Sequence, residues 1–294
     1  MVQAVIPNTF EYVAPKTALE ATGLLQQYGG EGKLLAGGQS LIPLMKFRLA
    51  SPAYLIDLQN IPELTTLEER DDGLVMGAMV RESALESSAM IRQRYRGIAE
   101  TSAVVADPLV RNFATIGGNL AHADPANDHP AMMLATRATV IVSGPTGQRA
   151  IPIDDFLVDT FQTALDPDEI LLEIHVPRAL AHTGSAYTKF ERKVGDYAIA
   201  AVAAQLTLDG DTCTSAGIAL TNVGPKAIRA TAAEQFLIGK QMSDEEVVRE
   251  AARLAAQAAE PAADLRGPAE YKRHVVRTLT ARTLRTAAQR AHSA

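Results

Sequence analysis

The sequence predicts an α+β chain in two domains. The first, residues 1–177, divides into subdomains of residues 1–60 and 61–177. The second, residues 178–294, pairs a three-stranded antiparallel sheet with helices. Three observations predict this. Strand-length apolar runs alternate with helical spacing over residues 1–60, a β-α-β-α-β pattern. Asp209-Gly210-Asp211 is a hairpin signal between two long strand-like runs. Beyond Ser243 the apolar residues recur at helical spacing behind a start signal.

The elements follow in order. After an opening strand, Thr17 and Glu20 form a capping box, with Ala18, Leu24, Leu25 and Tyr28 on a buried helical face. Gly29-Gly30 ends that helix, and Lys33-Leu34-Leu35 reads as a short buried strand feeding a first glycine pair. Residues 43–49, with Pro43 near the first turn, form a helix, and residues 53–58 a strand. Next come a strand at 74–79, helices at 82–90 and 92–103, and a second glycine pair at the end of an apolar run. A helix entered through Pro130 spans 128–135, and strands cover 139–142 and 170–176. The second domain contributes strands at 186–191, 199–208 and 214–220. Ser243 with Glu246 repeats the capping box before a helix carrying Val247, Ala251, Leu254 and Ala258. Pro268 opens the last helix, with Tyr271, Val275 and Leu279 on one face and Lys272, Arg273, Arg277 and Arg282 on the other. Such a basic face suits solvent, a membrane surface or an acidic partner.

Composition excludes several classes. The apolar share of 47% supports a folded core, and a net charge of −6 without a basic block disfavours nucleic acid. The absence of Trp removes the best base-stacking residue. One cysteine, Cys213, permits neither a disulfide framework nor a cysteine-ligated iron–sulfur cluster within the chain, and reads as a strand-borne small hydrophobe. The N-terminal segment lacks a basic stretch followed by an apolar core, and no apolar run spans a bilayer, so the expected compartment is the cytoplasm. Gly30-Glu31-Gly32 lacks the third glycine of a dinucleotide fingerprint. Neither a Walker A sequence nor a G-x-S-x-G elbow is present, and no nucleophile–base constellation appears. In His122-Ala-Asp124-Pro-Ala-Asn127-Asp128-His129 the spacing matches no zinc pattern. No metal ligand and no catalytic residue is assigned.

The glycine pairs carry the chemistry. In Ala36-Gly37-Gly38-Gln39-Ser40 and Thr115-Ile116-Gly117-Gly118-Asn119, bare backbone N–H groups can approach an anion because no Cβ intervenes. Ser40, Thr115 and Asn119 add hydroxyl or amide hydrogen bonds. Each segment alone reads more readily as a tight turn. Together they could close on one pyrophosphate from two sides.

The motifs AGGQS and TIGGN resemble those of the FAD-binding medium subunits of the molybdenum hydroxylases. That group includes aerobic carbon monoxide dehydrogenase and, as fused domains, xanthine dehydrogenase. The similarity continues through LIPLMKFRLASPAYLIDL, DPANDHPAMMLA, DEILLEIHVP, KFERKVGDYAIAAVA and DLRGPAEYKRHVVRTL, nearly the whole chain. It implies a two-subdomain FAD-binding fold of the vanillyl-alcohol-oxidase (PCMH) type plus a flavoprotein-type C-terminal domain. It implies FAD held by Lys33, Leu34, Leu35, Ala36, Gly37, Gly38, Gln39, Ser40 and Leu41 and by Ala114, Thr115, Gly117, Gly118, Asn119 and His122. Gln39 stands where other members often carry histidine, which leaves a backbone cradle intact.

The resemblance further implies that Val105, Ala106 and Val110 wall the flavin and that Leu171 and Leu172 pack near its ring. Asp128 corresponds to an aspartate that hydrogen-bonds the flavin's ribityl or pyrimidine side; as a sequence feature it also suits an N-cap. Lys189 corresponds to a lysine whose fixed charge favours reduced, anionic flavin. Tyr197 corresponds to a ring-covering tyrosine, and by sequence alone reads as a core strand aromatic. The implied role is electron transfer. Substrate is oxidised at molybdopterin cytosine dinucleotide–molybdenum on a large subunit, and electrons pass through two [2Fe–2S] clusters on a small subunit to FAD here. They then leave to an external acceptor, a quinone for the CO enzyme. The implied assembly is a dimer of heterotrimers, peripheral to the cytoplasmic face of the inner membrane. The motif detail leans toward carbon monoxide dehydrogenase. Subunits of N-heterocycle, nicotine-type, xanthine or aldehyde hydroxylases, and a stand-alone FAD oxidase of the vanillyl-alcohol-oxidase type, are the alternatives.

Overall fold

A computed structural model describes residues 6–293. Part of the segment read above for a leader, residues 1–5, lies outside them. The first unit is built from β1 (Glu11–Val13), α1 (Ala18–Tyr28), β2 (Gly32–Leu35), α2 (Leu41–Lys46) and β3 (Tyr54–Asp57). Its three strands lie in the order β1-β3-β2, all parallel. Thr17 Oγ1 accepts from the Glu20 N–H at 3.1 Å, the expected cap, and Gly29 ends α1 with φ +53°. The expected burial of Lys33-Leu34-Leu35 does not hold: Lys33 is exposed and both leucines are half-buried. β2 is an edge strand, so one side lacks a neighbour.

The second unit is β4 (Leu67–Arg70), β5 (Gly73–Gly77), α3 (Glu82–Ser87), α4 (Ala89–Arg94), α5 (Arg96–Ala103), α6 (Pro108–Arg111), α7 (Ile116–His122), α8 (His129–Ala135), β6 (Thr139–Gly144), β7 (Gly147–Pro152), α9 (Ile153–Phe156), the short pair β8 (Leu157–Asp159) and β9 (Gln162–Thr163), and β10 (Ile170–Pro177). Its antiparallel sheet runs β4-β5-β10-β6-β7. β6 alternates buried and half-buried side chains, as a strand with one covered face must.

The third unit is β11 (Thr183–Phe190), β12 (Ala200–Asp209), β13 (Thr212–Thr221), β14 (Ile228–Arg229), α10 (Thr231–Leu237), α11 (Glu245–Ala258) and α12 (Ala269–Ser293). The antiparallel sheet β11-β12-β13-β14 has four strands; the two-residue β14 was too short to carry a periodic signal. Asp244, not Ser243, caps α11, accepting from Glu246 N–H at 2.9 Å, while Ser243 bonds Asp211. The face of α11 that is buried carries Val248, Ala251, Ala252 and Ala255, so it is turned from the expected one. Lys272 leaves the expected basic face: it is buried and paired with Asp264 at 2.7 Å. Cys213 is fully buried in β13, and burial pushes its thiol up to about 11.

Every residue of α8 is buried. Its Met132, Met133 and Leu134 join one core with Val140 and Ile174 of the second sheet and Ala201, Ala203 and Ala219 of the third. α12 covers the opposite face of the third sheet through Val276, Leu284 and Ala287. These layers place the glycine segments, the α8 entrance and the end of β11 in one region.

Candidate functional site

The first glycine segment leaves the C-terminal end of β2 and turns into α2. Gly38 adopts φ +73°, a conformation L side chains rarely reach. Among the described residues, the N–H groups of Gly38, Gln39, Ser40 and Leu41 make no hydrogen bond within the chain, whereas Ile42 N–H returns to Gly38 O at 3.0 Å. Four donors are therefore offered from one turn. Gln39 is exposed and only its amide touches the segment, at Gly37 O, 3.3 Å.

The second segment departs from expectation. Ile116-Gly117-Gly118-Asn119 is the first turn of α7, not a strand-end loop, and Thr115 is its N-cap. Its N–H groups are committed: Ile116 to Val80 O, Gly117 to Ala78 O, Gly118 to Thr115 Oγ1 and Asn119 to Thr115 O, all within 3.1 Å. It is no second nest of free donors. Gly117 is glycine for packing, since a Cβ there would lie 2.5 Å from Ala78. Gly118 is different. A Cβ there would meet only Thr115 Oγ1 at 2.8 Å and Ala36 at 3.5 Å, so its bare face borders the first segment. Beside it, Asn119 Oδ1 is buried without a hydrogen-bond partner.

The first segment also packs on the chain leading into the second. A Cβ on Gly37 would lie 2.1 Å from Phe113 O and 2.8 Å from Ala114 Cα. Only glycine allows that approach.

Around this junction the other expected residues divide. Leu171 and Leu172 are buried in hydrophobic clusters, as inward positions of a central strand. Val105, Ala106 and Val110 are half-buried, and Ala106 takes φ +45°. His122 is half-buried with its ring 5.1 Å from Phe161; burial lowers its pKa. Tyr197 is no core strand aromatic: it is 47% exposed, on the loop between β11 and β12. Arg266 lies 5.7 Å over its ring and bonds Asp196 at 3.1 Å. A Cβ on Gly195 of this loop would come within 2.9 Å of Ala106 O, so the loop rests on the 104–106 wall.

Asp128 does not act as an N-cap. It has helical φ −80° and ψ −42° and caps nothing. Its Oδ1 accepts from Tyr187 Oη at 2.6 Å and its Oδ2 from Lys189 Nζ at 2.9 Å. Burial pushes its carboxyl upward, and the ammonium and the phenol pull it back. With both oxygens accepting, the geometry holds the carboxylate. Lys189 also donates to Val104 O at 3.0 Å, bracing the wall. Its charge is neutralised in place, not offered alone.

Sequence reasoning missed Tyr187, pushed well up by burial and by Asp128, and the fully buried pair Glu82–His129 at 2.6 Å. Glu82 N–H also holds Ala114 O at 2.9 Å. The pair spans 47 residues, and no local pattern reports it.

Residues 8–179 match the family described as the FAD binding domain in molybdopterin dehydrogenase, and residues 185–287 the CO dehydrogenase flavoprotein C-terminal domain. The chain is 45% identical to the carbon monoxide dehydrogenase medium chain of Hydrogenophaga pseudoflava, over 96% of this chain and 98% of that one. It is 37% identical to the 6-hydroxypseudooxynicotine dehydrogenase complex subunit alpha of Paenarthrobacter nicotinovorans, over 97% and 96%. Its fold is similar to the solved carbon monoxide dehydrogenase of Hydrogenophaga pseudoflava that lacks the Mo-pyranopterin moiety, with a TM-score of 0.94, 47% identity, and 97% and 99% of the two chains covered.

Proposed function

The chain belongs to the FAD-carrying medium subunits of the molybdopterin dehydrogenases, and on that premise we propose how it holds FAD and where its electrons come from. The turn at Gly38–Leu41 donates its N–H groups to the diphosphate, and the bare face of Gly118 with Asn119 Oδ1 receives the adjoining sugar or ribityl hydroxyls. The residues present fit such a group. Four unengaged donors suit an anion, and a buried acceptor without a partner suits a hydroxyl. Val105, Ala106 and Val110 supply an apolar wall, Lys189 and Tyr197 flank it, and Asp128 fixes Lys189. Bound FAD supplies an electron store able to exchange one electron or two. The protein orients it and sets the charge around it.

Electrons arrive from two [2Fe–2S] clusters on a small partner subunit, fed by molybdopterin cytosine dinucleotide–molybdenum on a large one, in a dimer of heterotrimers. They leave to an external acceptor, a quinone. The identity to carbon monoxide dehydrogenase medium chains supports CO as the substrate of the complex. The exposed Phe47, Leu49, Leu109 and Phe113 flank the two glycine segments in sequence and support a partner seated beside the site. Among the described residues no helix is long and apolar enough to cross a membrane. We place the complex in the cytoplasm, peripheral to the inner membrane face.

The observation that carries this reading is the close approach of the first segment, at Gly37, to Phe113 and Ala114, the residues that lead into the second. Gly38→Val tests it, because valine at φ +73° would also strike Ile42 at 2.6 Å. The variant is expected to fold and assemble without flavin. Stoichiometric FAD in it, measured by absorbance after denaturation, would contradict the cradle.

A further inference from the structure

We propose that Glu191 sets the charge behind the flavin, and so its reduction potential, by acting on Lys189; this rests on the reading that Lys189 faces the flavin. Tyr187 and Lys189 alternate along β11, and Glu191 follows its last residue, so period two sends all three to one side. Tyr187 and Lys189 converge on Asp128 at 2.6 and 2.9 Å. Lys189 Nζ lies 3.5 Å from Glu191 Oε2, an oxygen that is buried and makes no hydrogen bond. The side chain of Lys189 is only 4% exposed.

One ammonium therefore faces two carboxylates. The cluster is net negative, the reverse of what a lone lysine would present. The neighbouring charges stay the same when Glu191 is replaced, so they do not mask its own contribution. His129 of α8 is committed to Glu82 at 2.6 Å. Arg192 and Arg266 share the one Asp196 carboxylate, at 3.0 and 3.1 Å, which leaves one positive charge in excess there, and Arg290 is held by Glu100. Charges shielded from water act over longer range than surface ones. An extra carboxylate beside an electron acceptor makes each added electron less favourable, so Glu191 lowers the flavin potential. Low potential is useful in a carrier that must pass its electrons onward. Glu191 is thus a positioning residue for charge, while Asp128 and Tyr187 hold Lys189 in place.

The test uses the assembled complex. FAD content is measured first by absorbance after denaturation, then the flavin midpoint potential by spectroelectrochemical titration. Glu191→Gln is expected to keep its FAD and move the potential positive, and Glu191→Asp to restore the wild-type value. Glu191→Ser, neutral and smaller, should shift it in the same direction as Glu191→Gln. An FAD-replete Glu191→Gln complex with an unchanged or more negative potential overturns the proposal. Loss of FAD from Glu191→Gln also counts against it, since charge-setting leaves binding intact. A wild-type complex without FAD would instead remove the flavin reading on which it rests.

Discussion

Asp196 shows how single residues shape the site from outside it. Arg266 and Arg192 bond its carboxylate and hold it down to about 2. A depressed carboxyl value means that the contact is fully present above the ordinary aspartate range and is lost as pH falls through the folded value. The window therefore runs from about 4 down to about 2. Carboxyl-resolved NMR titration should show Asp196 unprotonated until that window, with the Tyr197 ring signals moving in step as Arg266 is released. An Asp196 titrating near the ordinary value would remove the latch. Asp128 is the opposite kind of residue, buried and bonded on both oxygens. Breaking a buried pair by deleting one partner typically costs about 3–5 kcal/mol, because the other charge is left stranded. The family resemblance singled out Asp128 and Lys189 as candidates for the proposed flavin site. It did not show that Lys189 is shared between Asp128 and Glu191, because the bond to Asp128 joins side chains 61 residues apart.

At the scale of elements, small residues let helices approach both faces of the third sheet. Ala200, Ala201, Val202, Ala203 and Ala204 of β12 are fully buried. A Cβ on Gly217 of β13 would lie 1.9 Å from Ala135 O of α8, and one on Gly184 of β11 would lie 2.1 Å from Ala287 O of α12. Gly217→Ala must push α8 away from the sheet, and overpacking of this kind costs about 1–3 kcal/mol. Because Asp128 and His129 lead into α8, the variant should lose FAD affinity as well as thermal stability, measured by flavin fluorescence and calorimetry. Loss of stability with unchanged FAD affinity would uncouple α8 from the site. The strands and the α1 cap were legible because burial on one face and a local hydrogen bond both leave short-range patterns. α7 was not. Gly-Gly is a poor helix start by propensity, and the turn forms because the carbonyls of Val80 and Ala78 receive its N–H groups. Lys272 likewise looked solvent-facing by spacing, but Asp264 in the preceding turn draws it inward.

Over the whole molecule, three units meet where the flavin is proposed to sit. The parallel sheet supplies the donor turn, the central unit supplies α7 and the 104–106 wall, and the third sheet supplies Lys189 and the Tyr197 loop. On the proposed reading the chain carries electrons between partners and leaves substrate selection to another subunit, so its redox behaviour should depend on assembly. The direct measurement is the flavin absorbance under anaerobic conditions when CO is added, first to the assembled complex and then to the isolated, FAD-loaded chain. The electron-carrier role requires bleaching in the complex and none in the isolated chain, whose flavin should be reduced by dithionite alone. Bleaching of the isolated chain by a small alcohol or amine would contradict it, because the flavin would then be oxidising substrate directly.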